Sequence, residues 1–180
     1  MRVITGTARG RRLKEPANYD IRPTTDQVKE AMFNICQSDV EGRRVLDLFG
    51  GTGQLGIEAK SRGAAEVTVV DSGKAAIDLI RENARRTGLD IRVVRGDALG
   101  FLKQSGGAYD LIFLDPPYKS ALAVSALDRI KMFDILSIGG IIIAETAAET
   151  DLPELEAPYE KRREYRYGKA VKLTTYTRLP

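Results

Sequence analysis

Val45-Leu-Asp-Leu-Phe-Gly-Gly-Thr-Gly-Gln-Leu-Gly56 is the stretch whose reading decides the fold. Val45 to Phe49 forms a strand-length apolar run, and Gly51-Thr-Gly53-Gln-Leu-Gly56 leads from it into a helical segment at Leu55 to Ser61. Glycines at such a turn let the backbone approach a ligand, and the helix start beyond them offers free amides. Asp71 ends the next apolar run, 20 residues after Gly51, where a carboxylate can accept both hydroxyls of a ribose. A nucleotide-like cofactor is therefore expected here. On this turn alone, a nicotinamide dinucleotide and S-adenosylmethionine fit equally well.

Outward from the turn, short β-branched runs alternate with helix-length segments, the pattern of a parallel sheet wrapped by helices. Strands are expected at Val67 to Val70, Ile91 to Val94, Leu111 to Leu114 and Ile141 to Ala144. Helices are expected at Ala75 to Thr87, closed by Gly88, and at Leu99 to Gln104. The pattern then changes: Arg163 to Tyr167 and Ala170 to Thr177 flank Gly168-Lys169 with no helix-length segment between them, a hairpin signal. A parallel sheet finished by an antiparallel hairpin separates the methyl-transferring variant of the doubly wound fold from the dinucleotide-binding one. The expected fold is thus α/β and Rossmann-like, with a seven-stranded, mostly parallel sheet.

Before this body lies a different stretch. Arg2 to Thr7 and Arg11 to Leu13, joined by Ala8-Arg9-Gly10, read as a small basic hairpin. In Arg22-Pro-Thr-Thr-Asp26, Thr24 or Thr25 can cap a helix with an apolar stripe at Val28, Met32, Phe33 and Ile35. The chain is accordingly divided into a hairpin-and-helix arm at residues 1–40 and a cofactor-binding domain at residues 41–180.

Composition narrows the chemistry. The 180 residues include no histidine and one cysteine, Cys36, which removes Ser-His triads, histidine-ligated zinc and an internal disulfide; no metal is expected. Cys36 lies in the helical pattern with nothing to activate it and is given no role. No apolar run approaches bilayer length, and the N-terminus lacks the pattern of a secretory signal, so a cytoplasmic protein without membrane contact is expected. The net charge of +3 is uneven: residues 1–26 carry 6 basic and 3 acidic side chains, and residues 161–180 carry 7 and 1. Basic ends on an acidic body suit a polyanion, and equally a solvated surface.

Two further motifs choose between the cofactors. Asp97, in Gly96-Asp97-Ala98 after the third strand, can bind the amino group of adenine or simply cap the next helix. Asp115-Pro-Pro-Tyr118 follows the run Leu111-Ile-Phe-Leu114 and so lies at the ligand-binding end of the fourth strand. Two successive prolines stiffen that loop and aim its carbonyls. An aryl-type amine is a poor nucleophile because its lone pair is delocalised, so catalysis needs acceptors that hold it as it becomes tetrahedral. Asp115 and the Pro116 carbonyl can do that, with Tyr118 stacking on the extruded base. Hydride transfer needs no such cradle, which favours S-adenosylmethionine.

With Leu46-Asp-Leu-Phe-Gly-Gly-Thr-Gly53, the Asp-Pro-Pro-Tyr motif resembles class I S-adenosylmethionine-dependent amino-methyltransferases. Arg9-Gly-Arg-Arg-Leu13, Arg22-Pro-Thr-Thr-Asp26, Leu55-Gly-Ile-Glu-Ala59 and Tyr167-Gly-Lys169 narrow the likeness to the RsmD family. That resemblance implies methylation of guanine N2 in 16S ribosomal RNA, with the small ribosomal subunit as partner. It also implies that Asp47, Phe49, Gly51 and Gly53 surround the methionine part of the cofactor, Asp71 the ribose, and Asp97 with Ala98 the adenine. Asp115, Pro116 and Tyr118 would act on the guanine, the Arg22-Pro-Thr-Thr segment would close over the cofactor, and Arg9, Arg11, Arg12 and Arg22 would contact RNA. Two departures from the family pattern are Gly50 where alanine is usual and Asp71 where many members carry glutamate.

The nearest rival is a DNA adenine-N6 or cytosine-N4 methyltransferase, since the same loop serves any exocyclic amine. The chain leaves little room for the target-recognition region such enzymes use. A non-catalytic RNA-binding protein with this fold is a second rival, disfavoured by the intact Asp115, Asp71 and glycine turn. A monomer is expected.

Overall fold

The structure, a computed structural model, describes residues 1–17, 24–117 and 121–180. Strands β1 (Arg44–Asp47), β2 (Glu66–Asp71), β3 (Arg92–Arg95), β4 (Tyr109–Leu114), β5 (Leu136–Ala147), β6 (Tyr159–Tyr167) and β7 (Val171–Arg178) form one sheet in the order β3-β2-β1-β4-β5-β7-β6. The first five pair in parallel, while β7 runs antiparallel to β5 and to β6. Helices α1 (Asp26–Ile35), α2 (Gln54–Ser61), α3 (Lys74–Thr87), α4 (Ala98–Gln104) and α5 (Leu122–Met132) complete the regular elements among the described residues. This is the class I methyltransferase arrangement of the Rossmann-like fold, with the C-terminal hairpin in place.

The two faces of the sheet follow from the period of a strand, which sends successive side chains to opposite sides. Val45, Val69, Leu111, Phe113 and Ile143 pack in one core with α1, α2 and α3, through residues such as Phe33, Leu55 and Ile77. Their neighbours Leu46, Val70, Ile112, Leu114 and Ile142 pack in a second core with α4 and α5, through Leu102, Leu127 and Ile130. A strand covered on both faces must be apolar throughout, which is why these runs do not alternate with polar residues. The order reverses between β1 and β4, and the crevice at that switch point opens at the C-terminal ends of the strands.

Three elements depart from the sequence expectation. No helix was expected between β4 and β5, yet α5 buries Ala123, Ala126, Leu127 and Ile130, one helical face, under the second core. β5 begins at Leu136, before a bulge in which Tyr109 pairs with Leu136 but Leu111 pairs with Ile141. Gly139, at φ +73°, sits inside that bulge, so only Ile141 onward reads as a regular strand. The N-terminal hairpin is present but short: an antiparallel bridge, Arg2 to Arg12, flanked by Val3 N–H to the Arg11 carbonyl, Gly10 N–H to the Val3 carbonyl and Leu13 N–H to the Met1 carbonyl.

The arm is fastened to the body chiefly by polar contacts. Val3, Ala8 and Leu13 pack on Ile57 of α2, but the stronger anchor is Glu58, which is fully buried and accepts the backbone N–H groups of Ile4 and Thr5 and the guanidinium of Arg62. Lys29 of α1, also buried, donates to the Arg2 carbonyl at 2.7 Å and lies 3.8 Å from Glu58. Burial pulls the Lys29 ammonium down from its ordinary pKa, and Glu58 and Asp26 oppose that pull. Thr25 caps α1 by accepting from Val28 N–H.

Candidate active site

The glycine turn owes its shape to backbone angles that only glycine adopts readily. Gly51 and Gly53 stand at φ +54° and +79°, and a Cβ on Gly56 would lie 2.4 Å from Val69 Cγ2, so α2 could not approach β2 with any larger residue. Gly50 is also constrained: a Cβ there would meet Val69 Cγ1 at 2.4 Å and Ile80 Cδ1 at 2.9 Å. The departure from alanine is therefore matched to the side chains beneath it. Asp71, at the end of β2, holds the turn through Gly51 N–H to Oδ2 (2.9 Å) and Gly73 N–H to Oδ1 (2.8 Å). Each carboxylate oxygen keeps a second lone pair.

Asp47 stands directly under the glycine turn, 1% exposed, outside the residues that line the cavity, and its Oδ2 accepts Gly56 N–H at the start of α2. Its Oδ1 is buried and has no hydrogen-bond partner among the described residues. Burial pushes this carboxyl up to about 7, Gly56 N–H draws it down, and the charges of Asp115 and Asp71 push it further up. Gly53 likewise forms the turn without lining the cavity, whereas Phe49, Gly51 and Thr52 line it directly.

The cavity is about 720 Å³ and follows the C-terminal edge of the sheet from β3 to β5. At one end are Asp71, Asp97 and Ala98. Asp97 caps α4 by accepting Gly100 N–H at 2.7 Å and also lines the cavity. At the other end are Asp115 and Pro116, with Thr24 and Thr25 from the start of α1. Thr24 Oγ1 donates to Asp115 Oδ2 at 2.7 Å, and the Thr24 carbonyl accepts from Gln54 Nε2 at 2.7 Å. The described part of the Arg22-Pro-Thr-Thr segment thus lies against both the Pro-Pro loop and the first turn of α2.

The partners of three cavity or loop residues lay outside the sequence reading. Thr24 was read as a helix cap and as part of the segment closing over the cofactor, with no link to Asp115. Asn83 of α3, fully buried, donates to the Thr52 carbonyl and exchanges hydrogen bonds with the backbone of Lys14, joining the arm to the turn. Glu145 of β5 is 3% exposed and lines the cavity; a lone glutamate at the end of an apolar run carries no sequence signal. Conversely, Tyr118 and Arg22 lie outside the described residues. Arg9, Arg11 and Arg12 are exposed on the arm, away from the cavity lining, and Arg11 donates to the Arg86 carbonyl. Cys36 is buried with its thiol pushed up to about 12 by desolvation, which leaves it inert.

The donor set suits an adenosyl sulfonium. Carboxylates at Asp71 and Asp97 are spaced along one wall, Phe49, Pro117 and Leu122 offer apolar surface, and the unpartnered oxygen of Asp47 favours positive charge nearby. Among the described residues no helix is long and apolar enough to cross a membrane.

Comparison with known proteins agrees with this geometry. The family model described as conserved hypothetical protein 95 matches residues 1–177. The Bacillus subtilis protein YlbH is 41% identical over 174 residues, 93% of this chain and 94% of that protein. The ribosomal RNA small subunit methyltransferase D of Escherichia coli is 34% identical over 165 residues, 91% of this chain and 83% of that one. The solved structure of yhhF from Escherichia coli superposes with a TM-score of 0.86 at 32% identity, covering 99% of this chain and 98% of its own.

Proposed function

The chain belongs to the RsmD family, whose conserved hypothetical protein 95 model spans nearly all of it, and from that premise we propose that it methylates the exocyclic N2 amine of a guanine in small-subunit (16S) ribosomal RNA, with S-adenosylmethionine as donor. One observation carries the reading: the Asp115-Pro116 loop and the glycine turn with Asp71 line a single cavity at the switch point of the sheet. A nucleotide-like cofactor on one side and an amine acceptor on the other are what such a transfer needs.

The donor supplies an electrophilic methyl group on a positively charged sulfur. Asp71 binds the ribose hydroxyls, Asp97 and Ala98 border the adenine, and Phe49 with the Gly51 turn borders the amino-acid end. Asp47, which touches the turn rather than the cavity, acts by holding α2 in place through Gly56 N–H. Asp115 and the Pro116 carbonyl accept the two N–H hydrogens of the guanine amine, which turns its lone pair toward the methyl group. As the N–C bond forms, the methyl–sulfur bond breaks and its electron pair stays on the sulfur, which becomes neutral; the amine becomes positive and acidic, and its surplus proton passes to Asp115. Thr24 fixes the Asp115 carboxylate by its hydrogen bond to Oδ2. Arg9, Arg11, Arg12 and Arg22 contact RNA phosphates, Tyr118 stacks on the base, and residues 1–40 act as the arm that covers RNA and cofactor.

The test is transfer of labelled methyl from S-adenosylmethionine to small subunits lacking base methylation, with naked ribosomal RNA and duplex DNA in parallel and mass spectrometry of the labelled nucleoside. The expected product is N2-methylguanosine in the small-subunit RNA. Asp115→Ala is expected to lose transfer by roughly 100-fold or more while still binding the cofactor. Label in N6-methyladenine of DNA would overturn the reading.

A further inference from the structure

We infer that Glu145 selects the base: its carboxylate accepts the N1–H of the extruded guanine, next to the amine held at Asp115. The inference rests on the guanine reading above and extends it to the residue that makes the choice.

Glu145 is placed for this by the sheet. Leu114, the last residue of β4, pairs with Ala144 of β5 in parallel register, so Asp115, just beyond β4, and Glu145 on β5 follow directly on a pair of adjacent strands, whose spacing is about 4.8 Å. Leu114 and Ala144 face the core of α4 and α5, so by strand alternation Asp115 and Glu145 face the opposite side, where Thr24, Thr25 and Val171 complete the wall. On β7, the residue opposite Glu145 is Leu173. The cofactor-binding groups Asp71, Asp97 and the glycine turn occupy the β1–β3 part of the same cavity. The part over β4 and β5, where Glu145 stands, remains for the base.

The chemistry of the nucleobases supplies the selection. Guanine, adenine and cytosine each carry an exocyclic amine beside a ring nitrogen. In guanine the amine lies between N1, which bears a hydrogen, and N3, which bears a lone pair. In adenine and cytosine its one neighbouring ring nitrogen, N1 or N3 respectively, bears a lone pair. A buried carboxylate next to the amine cradle accepts from the first and repels the other two, and burial strengthens both effects. The Asp-Pro-Pro loop accepts any exocyclic amine; Glu145 restricts it to one base.

The decisive substrate is 2,6-diaminopurine, which keeps the N2 amine but has a lone pair at N1. Small subunits are reconstituted around 16S RNA carrying either guanine or 2,6-diaminopurine at the position identified by nucleoside mapping. The wild-type protein is expected to favour guanine in kcat/KM by about 10- to 100-fold. Glu145→Gln, whose amide can donate to a ring lone pair, is expected to bring that ratio to one or below. A wild-type protein indifferent between the two bases would sink the inference, and that result needs no variant to fold. So would a Glu145→Gln variant that slows both substrates in proportion, since a purely structural role predicts that outcome. If wild type methylated no guanine at all, the functional reading would fall first and this inference with it.

Discussion

Thr24 and Asp115 are 91 positions apart in the chain, and the hydrogen bond between them helps orient the carboxylate on which the proposed transfer depends. Thr24→Val keeps the shape and removes the donor. Its expected effect is a fall in kcat of about 10- to 100-fold with little change in KM for the cofactor, because a hydrogen bond to a charged group is worth roughly 1.5–3 kcal/mol. Steady-state kinetics on both substrates checks the split. Asp47 offers a second residue-level test. Its folded-state pKa of about 7 lies above the ordinary 3.8, so the folded protein holds this proton more tightly than the unfolded chain. The associated stability is fully present below about pH 4 and is lost as pH rises to about 7, the reverse of a salt-bridged carboxylate. Asp47→Asn keeps an acceptor for Gly56 N–H and has no proton to lose. The drop in thermal midpoint between about pH 5 and pH 8 is expected to be smaller in this variant than in wild type. An equal drop in both would assign the pH dependence elsewhere.

Among the elements, the N-terminal arm depends most on a few polar contacts. Glu58 receives Ile4, Thr5 and Arg62 directly and sits beside the buried Lys29, so one side chain ties together the arm, α1 and α2. Glu58→Gln leaves Lys29 and Arg62 short of a counter-charge, which typically costs about 3–5 kcal/mol. For a chain of this size, that corresponds to a thermal midpoint lowered by roughly 10 °C, measurable by calorimetry. Gly6 reports on the same junction, since a Cβ there would lie 1.8 Å from the Ser61 carbonyl oxygen. The elements themselves were unequally legible. Strands β1, β2 and β4 and helix α3 announce themselves because their apolar periods are unbroken and bounded by glycine. The start of β5 was hidden because Gly139 and Gly140 create a bulge that breaks the period. In β6, Arg162 is an extra residue between the Lys161 and Arg163 pairings and has the same effect. Helix α5 carries a regular stripe but many small residues, so its signal is weak until the second core is seen to cover it.

On the whole molecule, the basic ends of the chain lie in two places. The arm exposes Arg9, Arg11 and Arg12, and β6, the edge strand of the sheet, exposes Arg162, Arg163 and Arg166. Charges on an edge strand also discourage pairing with another sheet, so the two purposes must be separated by experiment. If β6 contacts phosphates, replacing its three arginines by alanine is expected to weaken RNA binding and to reduce the slope of log affinity against log salt by about 2–3, read in a salt titration. An unchanged slope would leave β6 with edge protection alone. What the sequence by itself determined was everything written in local order: the glycine turn and its φ-positive positions, the strand-to-helix rhythm, the terminal hairpin, the stiff Pro-Pro loop and the absence of histidine. These follow from backbone sterics and from periodicity over a few residues. Only the tertiary structure decided which side chains share the cavity: that Thr24 reaches Asp115, that Asp47 supports the turn from below, and that Glu145 stands beside Asp115. Such placements depend on strand register and on contacts between distant segments, and burial then sets the charge and hydrogen bonding of each group, none of which is encoded in its immediate neighbours.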